Sequence, residues 1–160
     1  MTAQNDMTAP LLSPEDVRID LSTRQAKLKW VIVVDEELPA GRAANAAACM
    51  AAAVGKALPD LLGGHAHDGS GTVHPGLPWL GCSVLAADTA TLRELREKAV
   101  DKDGFFVADM PELAQSTRVY TEYLEQLAGM KREELTYHAV SLVGPRNQVS
   151  KLVGRLDLLR

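Results

Sequence analysis

The sequence predicts an α/β fold, a three-layer sandwich with helices on both faces of a four-stranded, mainly parallel sheet. Three observations carry this. Trp30-Val31-Ile32-Val33-Val34 is an unbroken and mostly β-branched apolar run, the pattern of a strand covered on both faces. A short acidic and Pro/Gly turn, Asp35 to Gly41, leads from it into a helix whose residues 43 to 57 include nine alanines. Beyond it, apolar runs alternate with helix-period stripes, the βαβ pattern that builds parallel sheets with right-handed crossovers.

The 160 residues fit one domain, large enough to bury roughly 70% of the surface the unfolded chain exposes. Residues 1–26 read as an N-terminal arm and 27–160 as the single domain. Met1 to Pro10 contains Asp6 and no apolar core of signal-peptide length, so a cytoplasmic location is expected. Within the arm, Ser13-Pro14-Glu15-Asp16 has the makings of a short helical turn, with a cap residue, a proline at the first position and acids after it. Leu11-Leu12 and Ile19 with Leu21 are apolar enough to dock on the domain or on a second subunit.

The first strand is expected at the centre of the sheet, and the small side chains of the alanine helix let it pack closely on what it covers. That run is far short of the roughly 20 apolar residues needed to cross a bilayer and is interrupted by Arg42, Asn45 and Lys56, so no membrane role is expected. From Gly63 to Pro78 the spacing predicts a long loop of Gly, Ser, Pro and His. A second strand follows at Trp79 to Ala86, then a helix capped by Asp88 or Thr89 and running to about Val100, with Leu92, Leu95 and Ala99 on its buried stripe. Phe105 to Ala108 forms the third strand, ending at Asp109 and stopped by Pro111. Leu113, Tyr120, Tyr123, Leu124 and Leu127 recur at helical spacing, which predicts one helix from Glu112 to Leu127. Tyr137 to Val143 is the fourth strand, and Val149, Leu152, Val153 and Leu156 stripe the last helix. Cys49 and Cys82, placed inside a helix and a strand, read as buried, reduced thiols.

Net charge is −4, and no run of lysine or arginine supplies the basic footprint that phosphate neutralisation requires. A tRNA partner is therefore not expected. Arg42 and Asn45 open the alanine helix, where free N–H groups and the positive dipole end favour a small anionic ligand. An ion pair of Arg42 with Asp35, Glu36 or Glu37 is the competing reading. Asp109, at the end of the third strand, is expected on the same rim, with His74 from the loop beside it. His65, His67, Asp68 and His74 supply metal-compatible groups, but their spacing matches no known site, so neither metal nor cofactor is expected. No nucleophile elbow, Walker-type loop or dinucleotide fingerprint occurs, and Ser141 shows no base partner. Whether the chain is an enzyme stays open at this point.

Two stretches also carry a resemblance. Lys29-Trp30-Val31-Ile32-Val33-Val34, Glu37-Leu38, Gly41-Arg42, Ala46-Ala47 and Cys49, with Val140-Ser141-Leu142-Val143-Gly144-Pro145 near the end, resemble the type II (archaeal and eukaryotic) peptidyl-tRNA hydrolases. Leu38-Pro39, Arg42-Ala43-Ala44-Asn45, Gly144-Pro145-Arg146 and the Leu158-Leu159-Arg160 ending are more similar to an uncharacterised bacterial domain family sharing that fold. The resemblance implies a mixed four-stranded sheet with one antiparallel strand, and homologous folds that dimerise. It also shows what is missing. Where the hydrolases carry a lysine, a glutamine and a histidine, this chain has Ala44, Ala48 and Ala51, and their Asp-Ala-Gly-x-Thr segment is absent. An alanine moves no proton, so peptidyl-tRNA hydrolysis is not the expected activity. The expectation is a small-ligand site at Arg42, Asn45, His74 and Asp109 in a homodimer, with a non-catalytic oligomerisation or partner-binding module, or residual peptidyl-tRNA hydrolysis, as the alternatives.

Overall fold

The computed structural model describes residues 12–160, so Leu11 and the Met1–Pro10 segment lie outside the described residues. The first strand, β1 (Leu28–Asp35), feeds α1 (Ala40–Ala57). A small hairpin follows, β2 (Ala66–His67) and β3 (Val73–His74), then β4 (Cys82–Ala87) and α2 (Thr89–Val100). The chain continues through β5 (Phe106–Pro111), α3 (Glu112–Ser116) and α4 (Tyr120–Ala128) to β6 (Tyr137–Pro145) and α5 (Arg146–Val153).

The sheet order is β4-β1-β6-β5. β1 runs parallel to β4 and antiparallel to β6, which is itself antiparallel to β5. Three strands thus share a direction and β6 opposes them; because β6 inserts between β1 and β5, only the β1–β4 pair is parallel among the described residues, and the sheet is mixed where a mainly parallel one was expected. β1 and β6 occupy the interior, and the apolar run read from the sequence is buried along both faces.

Alternation along the strands divides the core in two. Trp30, Ile32, Val34, Ala139, Val143 and Met110 face Ala43, Ala46, Met50 and Val54 of α1. Val31, Val33, Val140 and Leu142 face Leu92, Leu95 and Ala99 of α2 with Val149 and Val153 of α5. The α1 side needs small residues because the helix lies close to the strands, which is what its alanines permit. α2 begins where expected, with Asp88 accepting from the Thr91 N–H at 2.7 Å. The arm's turn forms at Pro14–Asp16, and Leu12 is buried in the α1-side core, while Ile19 is exposed.

Several expectations need correction. The helix foreseen over Glu112–Leu127 is two helices, because Thr117 takes an extended conformation (φ −101°, ψ 132°) and Thr117 and Val119 are β-branched residues that resist helix. α4 buries none of its residues, and Tyr120 and Leu124 are exposed. The third strand does not end before Pro111; it includes it, which is tolerable because β5 is an edge strand where a missing N–H goes unnoticed. Cys49 and Cys82 are exposed, not buried, and are free thiols. The first sits on the outer face of α1 and the second at the start of the edge strand β4.

The loop from Gly63 to Pro78 is a hairpin with its own ladder, extended outward by a bridge between Leu62 and Pro78 and by the Gly63 N–H on the Leu77 carbonyl. Gly76 has to be glycine for its legs to meet: a Cβ there would lie 1.9 Å from the Gly63 carbonyl oxygen. The C-terminal residues also fold back, Leu158 bridging Leu85 so that the tail covers the open edge of β4.

Candidate functional site

At the carboxyl ends of β1, β4 and β5 the chain turns into α1, α2 and α3, and β6 enters from the same side. In an open α/β sheet this end is where ligands bind. α1 starts here without a side-chain cap. The Ala43 N–H reaches the Pro39 carbonyl at 3.0 Å, whereas the N–H groups of Ala40, Gly41 and Arg42 have no protein acceptor among the described residues. Such orphan donors are a property of any uncapped helix start. Arg42 is exposed and makes no ion pair among the described residues, so the competing pairing with Asp35, Glu36 or Glu37 is not what forms. Asp35 is buried and spends a carboxylate oxygen on the Glu37 N–H at 3.0 Å.

A residue the sequence did not mark, Gln115 of α3, joins the elements. Its Nε2 donates to the Arg42 carbonyl and to Asn45 Oδ1, both at 3.0 Å. A carbonyl only accepts, so the amide orientation is fixed, and Oε1 is left facing His138 Nδ1 at 2.7 Å. Nδ1 must therefore carry the proton, and any exchangeable lone pair of the neutral ring is on Nε2. His138 is 6% exposed, and Nε2 is neither hydrogen-bonded among the described residues nor one of the fully enclosed unpartnered atoms, so it touches solvent. The strand's own geometry aims the ring. Opposite Met110 and Pro111, β6 inserts one extra residue between Ala139 and Tyr137, and that residue is His138. A bulge of this kind re-aims a side chain that regular alternation would send to the other face.

The four residues expected to form a site are therefore not gathered together. Arg42 and Asn45 are neighbours bound to the same glutamine. Asp109 sits on the opposite face of the sheet, since it alternates with Ala108 and Met110 of the α1 side, and pairs there with Arg96 of α2 at 2.7 Å. Both partners are largely covered, and Arg96 also lies over the Tyr137 ring, 5.5 Å from its centre. His74 belongs to the hairpin, where it meets Asp68 at 3.3 Å.

The hairpin's polar residues serve its own turn. Asp68 accepts from the N–H groups of Ser70 and Thr72 at 2.8 and 3.0 Å, and His65 Nδ1 accepts from Gly76 N–H at 3.1 Å. The Thr72 and Ser70 amides, with His74, hold the Asp68 carboxyl below the usual carboxylate range. Among the described residues no three His, Cys, Asp or Glu side chains converge as a metal set. Ser141 is structural too: it accepts from Trp30 Nε1 at 3.0 Å and donates to the Val31 carbonyl at 3.2 Å, which leaves no free hydroxyl proton for chemistry. Ala44 and Ala48 are exposed on α1 and Ala51 is partly buried, so these positions present only methyl groups, which move no proton.

The family model described as a protein of unknown function (DUF2000) matches residues 28–160. The chain belongs to the DUF2000 family. A solved structure similar to it is a protein of unknown function from Agrobacterium tumefaciens strain C58, with a TM-score of 0.76 at 17% identity, covering 82% of this chain and 97% of that one. At that identity the likeness concerns the fold. No curated protein matches the chain. The DUF2000 match takes in every residue of the Arg42–Asn45–Gln115–His138 cluster and leaves the arm before Leu28 outside it. No helix among the described residues is long and apolar enough to cross a membrane.

Proposed function

We propose that this DUF2000 chain is a cytoplasmic domain on the type II peptidyl-tRNA hydrolase fold whose first strand–helix junction binds a small anionic ligand. The observation that supports it is the hydrogen-bonded run from His138 through Gln115 to the Arg42 backbone carbonyl and Asn45, which ties a tautomer-fixed imidazole to the uncapped start of α1, where Arg42 makes no ion pair among the described residues. In this reading Arg42 and the free first-turn amides of α1 hold a carboxylate or phosphate. Asn45, its Oδ1 already occupied, orients the ligand through its amide N–H, and His138 Nε2, the ring nitrogen left without a protein partner among the described residues, faces the ligand as the proton acceptor. The −4 charge and the alanines at 44, 48 and 51 weigh against tRNA as the anion.

The test is a titration of the full chain with a panel of small carboxylates and phosphates, followed by amide NMR shifts. Shifts clustered at residues 40–45, 115 and 138, weakened at least tenfold in Arg42→Ala, support the reading. A panel that moves no signal there, or an Arg42→Ala protein that titrates like wild type, sinks it. A second reading, self-association, has its own observation in the uncovered apolar residues Tyr120 and Leu124 of α4. A sedimentation series that stays monomeric at every concentration removes it.

A further inference from the structure

On the other face of the sheet, between α2 and α5, lies a groove of about 650 Å³. Its floor is Leu95, Leu152 and Leu156, and its walls carry Lys98, Lys102 and Lys151. Leu95 belongs to the core under α2, while Leu152 and Leu156 pack against that core with part of their surface still open. The groove is thus a place where the core's apolar surface reaches solvent in a concave form. Its volume falls inside the roughly 300–1,000 Å³ of small-molecule sites.

The charge around it runs against that of the molecule. A chain of net charge −4 places three lysines here against the single acid Glu94, which is taken up by an ion pair with Lys98. Lys102 and Lys151 have no acidic partner among the described residues. Cations on long stems over an apolar floor are complementary to an anion with a hydrocarbon tail, the stems adding to the apolar wall while the ammonium groups meet the headgroup. The walls are short, α5 being eight residues or about 12 Å long, which suits an alkyl chain better than a docked helix.

We infer that the α2–α5 groove binds an alkyl carboxylate of medium chain length, the tail on Leu95, Leu152 and Leu156 and the carboxylate between Lys102 and Lys151. The site is separate from the one proposed at α1, because the sheet stands between them, so each is tested without the other. The probes are sodium octanoate, sodium acetate and octylammonium chloride, added to the full chain while the methyl signals of the three leucines are followed by NMR. Octanoate should move all three saturably, and acetate and octylammonium should not. In the double variant Lys102→Gln, Lys151→Gln the octanoate affinity should fall at least tenfold with the thermal midpoint unchanged. An absent octanoate response, an equal response to octylammonium, or an unaltered affinity in the double variant overturns the proposal. So does sedimentation showing that the groove is filled by a second copy, namely a concentration-dependent dimer abolished by the same two substitutions.

Discussion

Ser141 shows how much a single side chain can be asked to do in a tightly covered strand. It is wholly buried on β6 and ties the Trp30 indole on β1 to the Val31 carbonyl beside it, so the indole N–H has its acceptor in the serine oxygen and the hydroxyl proton has its own in the carbonyl. Removing the hydroxyl strands the indole N–H in the α1-side core, where an unmet donor costs about 1–3 kcal/mol. Ser141→Ala should therefore lose about that much stability in urea unfolding, with the slope unchanged. A loss below about 0.5 kcal/mol would mean that the indole finds another acceptor. The sequence exposed this serine only as a polar residue in an apolar run, and that is ambiguous because a nucleophile and a buried clamp look alike until partners are seen. Gln115 is the reverse case. It is one polar residue in a short helix, and its importance comes entirely from what lies 70 and 23 positions away in the chain.

At the level of elements, the strands and the alanine helix were legible because burial imposes long, regular patterns on them. The hairpin was not, since its ladder is two residues per strand and its order comes from side chains folding back on the backbone. Asp68 is the keystone of that turn and gives it a pH dependence. Its folded pKa lies below the usual carboxylate range, lowered first by the Thr72 amide and then by the Ser70 amide and His74. A depressed carboxyl contributes stability that is complete above the unfolded value, about 3.9, and is lost as pH falls through the folded one. The amide proton shifts of Ser70 and Thr72 should accordingly titrate together with a midpoint below the ordinary carboxyl value, while those of β1 stay fixed. A midpoint at or above the ordinary carboxyl value would show that the turn does not depend on this charge. α4 was foreseen as part of one longer helix for a related reason: its apolar spacing is real, yet spacing reports periodicity and neither where a helix breaks nor whether anything covers its face.

Across the whole molecule, the mixed sheet leaves two edges, and β4 forms one of them. Open edges recruit other chains because a row of unpaired N–H and C=O groups is a template for another strand. Here the chain's own tail closes that edge: the Ala86 N–H reaches the Asp157 carbonyl at 2.9 Å, the Leu159 N–H reaches the Val84 carbonyl at 3.0 Å, and Leu158 bridges Leu85 between them. The Leu158-Leu159-Arg160 ending, which the sequence offered only as part of a resemblance, has a physical task in this position. Arg146 performs the matching one for the arm, gathering the carbonyls of Thr23, Ala26 and Leu28 and so anchoring the chain just before it enters β1. Removing residues 157–160 should leave the core largely intact, because those residues lie outside both buried clusters apart from Leu159, which packs against the α1-side one from its rim. What it uncovers is backbone. The shortened protein should keep its circular dichroism and lose no more than a few degrees of thermal midpoint, yet scatter light increasingly with concentration and time at 37 °C as β4 edges pair between molecules. Restoring the tail with Leu159→Pro should reproduce the association, since proline has no N–H to give the Val84 carbonyl. If the shortened chain stays as monodisperse as the full one, β4 is protected by its own exposed side chains and the tail is not the guard of that edge.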